Sequence, residues 1–151
     1  MAILDDAKSA IRISNTAYNT EISDLIAAAR LELIQSGVIA AKANDDTDLL
    51  VKRAILVYVK ANFGWNNPDS EKLKSSFEIL KNHLSVSVDY SYYTVTVNAG
   101  TQCEVTFDGE TKQTNDSGTV VFYSKPQNHV EYTIDGVTGY VDIAGNTVIE
   151  V

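Results

Sequence analysis

The stretch Ile55-Leu56-Val57-Tyr58-Val59-Lys60-Ala61-Asn62-Phe63-Gly64, followed by the punctuation Asn66-Asn67-Pro68-Asp69, decides the reading of the N-terminal half. A helix that reaches one core needs an apolar stripe about 100° wide. Here Leu50, Val51, Ala54, Ile55, Val57, Tyr58 and Val59 wrap most of the circumference, and only Arg53, Lys60 and, to one side, Lys52 interrupt them. The surplus needs a cover, either the rest of this chain or a second copy. A contact between copies through two different faces is heterologous, and it closes into a ring when the rotation permits.

Working outward, this third helix begins within Asn44-Asp45-Asp46-Thr47-Asp48, whose carboxylates suit the positive end of a helix dipole, and ends at Phe63-Gly64. A fourth helix follows with Asn67 as cap, Pro68 at its first position and the stripe Leu73, Phe77, Leu80, Leu84. Upstream, a helix from Asn19 carries Ile22, Leu25, Ile26, Ala29 and Leu33 until Gly37 stops it, and a short one over residues 3–12 aligns Leu4, Ala7 and Ile11.

From Ser85 onward the apolar period changes from helical to alternating, which places a boundary within residues 85–92. Cys103, Val105 and Phe107 alternate with Glu104 and Thr106, and Val130, Tyr132 and Ile134 with Glu131 and Thr133. Turn signals at Asp108-Gly109, Asp116-Ser117-Gly118, Asp135-Gly136 and Ala144-Gly145-Asn146 cut the segment into six or seven short strands. The chain reads as α+β in two domains: an N-terminal four-helix all-α bundle over residues 1–88 and a small antiparallel β-sandwich or barrel over residues 89–151.

The 151 residues suffice for a real core, since a chain of this size buries about 68–70% of its unfolded surface. The net charge of −8 divides unevenly: residues 1–90 hold 10 basic and 12 acidic groups, residues 91–151 hold 2 and 8. An acidic, nearly lysine-free second half repels phosphate backbones, which argues against nucleic-acid binding there. Cys103 is the only cysteine, so neither an internal disulfide nor a multi-cysteine zinc site is available. Met1-Ala2-Ile3-Leu4-Asp5-Asp6 lacks the basic-then-apolar order of a secretion signal, and no apolar run is long enough to span a bilayer. The expectation is a protein made in the cytosol, and Asn115-Asp116-Ser117 is read as a turn rather than a glycosylation acceptor.

Catalytic apparatus is not apparent. His83 and His129 fall in different halves and outside any triad or metal-ligand spacing, so the first is assigned to helix-end carbonyls and the second to a turn. Asp45, Asp46 and Asp48 lack the glycine and glutamate of a calcium loop, since Leu50 and Leu56 stand at its sixth and twelfth positions. No phosphate-binding glycine loop and no nucleophile elbow occurs. No catalytic, metal or cofactor site is assigned. Two binding readings stay open. Tyr92 and Tyr93, with Tyr90, Tyr123, Tyr132 and Tyr140, offer a stacking platform for a cell-surface glycan or simply pack a β core. Lys52, Arg53 and Lys60 line a DNA channel, pair with a neighbouring subunit, or are a solvated helix face.

The ordered set Tyr18-Asn19-Thr20-Glu21-Ile22, Leu25-Ile26-Ala27-Ala28-Ala29, Ser36-Gly37-Val38, Asp48-Leu49-Leu50, Ala54-Ile55, Tyr58-Val59-Lys60-Ala61-Asn62-Phe63-Gly64, Pro68-Asp69, Glu71-Lys72-Leu73 and Phe77, ending at Leu84-Ser85, resembles the head-tail connector proteins of tailed bacteriophages over about residues 1–90. The resemblance implies a structural virion protein without catalysis or cofactor. It implies a ring, dodecameric in the family, assembled in the host bacterial cytoplasm below the portal protein. That ring extends the DNA channel without sequence-specific binding and docks the neck, stopper or tail protein. No membrane is involved. On this reading Val51, Ile55, Tyr58, Val59 and Phe63 form the subunit interface. The β half departs from the minimal connector; Val105-Thr106-Phe107-Asp108-Gly109, Thr114-Asn115, Gly118 and Gly139-Tyr140 make it similar to a small immunoglobulin-like or PEGA-like module.

Overall fold

A computed structural model describes residues 2–151. The chain is α+β, with helices first and then antiparallel-rich strands in two sheets. It divides into two compact units, the first running to Ser91 and the second spanning Tyr92–Val151.

The helical unit holds α1 (Ile3–Ala10), α2 (Asn19–Gln35), α3 (Ala40–Ala43), α4 (Leu49–Asn62), α5 (Ser70–Val86) and α6 (Val88–Ser91). Among the described residues six helices stand where the apolar spacing suggests four. The two extra ones, α3 and α6, are single turns too short to show a period of their own. Arg12, at φ 61, ends α1 short of residue 12. Gly37, at φ 110, ends α2 in a Schellman arrangement: its N–H donates to the Ile34 carbonyl and the Val38 N–H to that of Leu33. The accompanying apolar contact is in place, since Leu33 and Val38 are both buried.

Asp48 caps α4, its Oδ1 accepting from the N–H groups of Leu50 and Val51, each at 3.0 Å. Tyr90 holds that carboxylate from the other side, its hydroxyl donating to Oδ1 at 3.2 Å and Oδ2 at 3.0 Å. The α5 assignment begins at Ser70 rather than at Pro68, but Asn67 still organises the entry. Its Oδ1 accepts from the Asp69 N–H, and its Nδ2 donates to the Lys60 carbonyl of α4. α4 is the central element, packed on α1, α2 and α5. The core of the unit includes Ile22, Ala29, Leu33, Val51, Ala54, Ile55, Val59, Phe77 and Leu84.

The β unit holds β1 (Tyr93–Asn98), β2 (Glu104–Phe107), β3 (Glu110–Gln113), β4 (Thr119–Ser124), β5 (Gln127–Ile134), β6 (Val137–Ile143) and β7 (Thr147–Glu150). One sheet has the order β4-β1-β7 and the other β3-β2-β5-β6. Asp108-Gly109 and Asp135-Gly136 have φ near +50° and +80°, the backbone of the two-residue turn whose twist matches that of hairpin strands, and they join β2 to β3 and β5 to β6. The inner faces meet through Phe107 and Phe122, whose ring centroids lie 5.4 Å apart. The β1–β7 pair is parallel, against the wholly antiparallel expectation. Parallel partners are joined by long connections and so leave no turn signature in the sequence.

Candidate assembly surface

Past its first turn, where Leu49 and Leu50 are exposed, the apolar surplus of α4 is largely covered by its own chain. Val51, Ile55 and Val59 have no exposed surface, because α1, α2 and α5 close around them. This corrects the premise drawn from the helical wheel: a helix central to its domain is apolar nearly all round without any partner, and these three side chains present nothing to a second copy. Tyr58 and Phe63 are partly buried and already engaged, Tyr58 edge-on to Phe77 at 4.9 Å and Phe63 edge-on to Tyr18 at 5.7 Å.

The basic stripe also divides. Lys52 belongs to the interior arrangement, its ammonium 2.7 Å from the Asp6 carboxylate of α1 with both side chains largely covered. Arg53 is exposed and Lys60 half-exposed, and among the described residues neither forms a salt bridge. They flank a small groove of 130 Å³ lined also by Ala10, Leu56, Val57 and Leu73. These two are the α4 cations without a salt-bridge partner among the described residues.

Apart from Leu49 and Leu50 at the start of α4, exposed apolar groups of the helical unit lie on other elements, and sequence periodicity does not single them out. Trp65, in the loop after α4, is completely exposed. It borders a groove of 480 Å³ with Ile13, Tyr18, Asn62 and Phe63. Its signal is present in the sequence as a lone indole among Gly64, Asn66 and Asn67, where no core demands it. Leu31 on α2 and Ile79 with Val86 on α5 are also exposed, the last two in line at i and i+7. A second groove, of 430 Å³, is walled by Ile3, Leu4, Ile26, Ala27, Leu31 and Ile34.

The acidic cluster is occupied by local work. Asp45 accepts from the Thr47 hydroxyl and N–H, and chiefly that hydroxyl bond lowers its pKa. Asp46 pairs with Arg30, and Asp48 is the α4 cap. Among the described residues no group of three or more His, Cys, Asp or Glu side chains is placed to hold a metal ion. His83 lies exposed in the last turn of α5.

In the β unit, Tyr93 is buried at the start of β1 and has no free face for stacking. Tyr92 is half-buried with the Lys125 ammonium 5.4 Å from its ring centre. Tyrosine faces are exposed instead at Tyr123 and Tyr140, on different sheets. Tyr140 stacks on His129 at 4.3 Å and donates to Glu131 Oε2 at 3.1 Å, and that bond is the main cause of its raised pKa. The structure thus gathers no single aromatic platform from the tyrosines of this half.

A sequence model described as "Phage connector protein" matches residues 3–91, the whole of the helical unit from α1 through α6. The chain belongs to the phage connector protein family. No curated protein and no solved structure matches it. The connector family is structural, so membership gives this chain a structural head-tail connector role and makes it a virion component. Among the described residues no helix is long and apolar enough to cross a membrane.

Proposed function

We propose that the chain forms a ring below the portal protein, extends the DNA channel, and provides the docking surface for a neck, stopper or tail protein. The observation that carries the reading is the family match over residues 3–91, which ends where the compact helical unit ends, at Ser91. The ring is dodecameric by family resemblance, is built in the host cytoplasm, and sits in the neck of the virion. Arg53 and Lys60 support the channel or intersubunit role, because an unpaired cation at a surface keeps its charge available to phosphate or to a neighbouring carboxylate. The β unit, with 2 basic against 8 acidic groups from residue 91 on, projects away from the DNA as an accessory immunoglobulin-like module.

Deletion of the gene from its phage tests this directly. The expected product is DNA-filled heads that lose their DNA and carry no tails, restored by the full-length chain supplied in trans. Normal tailed, infectious particles from the deletion would end the proposal.

A further inference from the structure

Truncating a large exposed aromatic changes little in a protein that works alone, yet the connector unit carries its only tryptophan, Trp65, fully in solvent. Indole side chains are enriched among the anchors of protein interfaces, because a single one removes a large rigid apolar area from water. The same chain carries a receptor of matching chemistry in the 430 Å³ groove walled by Ile3, Leu4, Ile26, Leu31 and Ile34. Leu31 is 57% exposed there.

The two features lie on different sides of one helix. On α2, Glu21 lines the groove beside Trp65, while Ser23, Ile26, Ala27, Arg30, Leu31 and Ile34 line the other. At 3.6 residues per turn the second set centres roughly 150° around the axis from Glu21. A knob and a hole on the same patch would give a closed dimer; on opposed sides they give head-to-tail addition.

Charge complements the apolar fit. Lys60 shares the Phe63 end of α4 with Trp65, since both border grooves that Phe63 walls. Asp24 is exposed and stands on the α2 face of Ala27 and Leu31, three and seven residues away. Neither Lys60 nor Asp24 forms a salt bridge among the described residues.

We infer that Trp65 of one copy inserts into the Ile3, Leu4, Ile26, Leu31 and Ile34 groove of the next, with Lys60 set against Asp24, and that this is the repeating contact of the assembly. The inference rests on the ring proposed above and names the side chains that make it.

The test uses the full-length chain with Trp65 as its own fluorescent reporter, together with sedimentation velocity. On raising the concentration, the emission maximum shifts to the blue as multimers appear. Trp65→Ala and Leu31→Glu each weaken self-association by roughly thirtyfold or more, the loss expected for a hot-spot truncation, with unchanged circular dichroism. Mixed together, the Trp65→Ala chain keeps the groove and the Leu31→Glu chain keeps the knob, so they form 1:1 dimers with shifted emission and go no further. Multimers that form while Trp65 emission stays solvent-like overturn the inference and leave the ring standing on some other surface. A chain that remains monomeric with unshifted emission at the highest attainable concentration also overturns it, and particle morphology then judges the ring separately.

Discussion

Removing the Asp48 side chain should loosen the helical unit at two points. Its Oδ1 satisfies the Leu50 and Val51 N–H groups at the start of α4, and loss of such a cap costs about 1 kcal/mol. The same carboxylate accepts the Tyr90 hydroxyl, and a partly buried hydroxyl left without an acceptor costs about 1–2 kcal/mol more. Asp48→Ala should therefore lose about 2–3 kcal/mol, and Tyr90→Phe about 1 kcal/mol. In the Asp48→Ala background the Tyr90→Phe change should cost almost nothing, a coupling of about 1 kcal/mol in the double-mutant cycle. For a unit of this size about 2 kcal/mol lowers Tm by roughly 10 °C, readable by far-UV circular dichroism. Tyr90 has further ties, since its carbonyl accepts the Ile39 N–H at 2.8 Å and the Lys42 ammonium lies 5.4 Å from its ring centre. Those survive in the phenylalanine variant, so the cycle isolates the hydroxyl. Burial first, and then the Asp48 carboxylate, pushes the Tyr90 hydroxyl up to about 12 from an ordinary 10.0. Between these values the folded chain keeps a proton that the unfolded chain releases. The stabilisation is thus complete below pH 10 and fades as pH rises toward 12, and Tyr90→Phe should flatten that part of the profile. Additive changes, or an Asp48→Ala variant as stable as the parent, would refute the reasoning.

Ile55→Ala should destabilise the helical unit by about 2–5 kcal/mol, independent of protein concentration, because the methyls it removes are buried within one chain; urea titration at two concentrations checks this. Gly118→Ala should destabilise the β unit by at least about 1–3 kcal/mol. Gly118 sits at φ +74 with its Cβ position pressed onto the Gly100 and Thr101 backbone, and unfolding of the β unit at a lower temperature would show the effect. Arg53→Glu with Lys60→Glu should leave the fold intact, since both are surface cations that form no salt bridge among the described residues, while lowering DNA retention or assembly in phage particles. Unchanged infectivity would remove that assignment.

Local signals carried most of the fold. Gly37, Asp48, Asn67 and the two Asp-Gly turns each act where the backbone demands a cap, a left-handed residue or a tight hairpin, so the element boundaries fall within a few residues of their sequence signatures. What sequence hides is non-local. α3 and α6 are too short to declare a period, and the parallel β1–β7 pair depends on residues some fifty positions apart, such as Val95 with Thr147. Apolar residues all around a helix mean burial on all sides, and periodicity cannot say whether the cover comes from the same chain or from another. Val51, Ile55 and Val59 are covered from within, whereas Trp65 and Leu31 are among the apolar residues left outside. Charge was equally mute about Lys52: only the fold brings Asp6, 46 positions away, to its ammonium.

The most direct measurement of the central claim is a cryo-electron reconstruction of the neck in phage particles that carry this chain. The account predicts a ring of copies directly below the portal, with the helical units around the DNA path and Arg53 and Lys60 facing phosphate or a neighbour. A neck that lacks this polypeptide, or one in which its copies do not surround the channel, would contradict it.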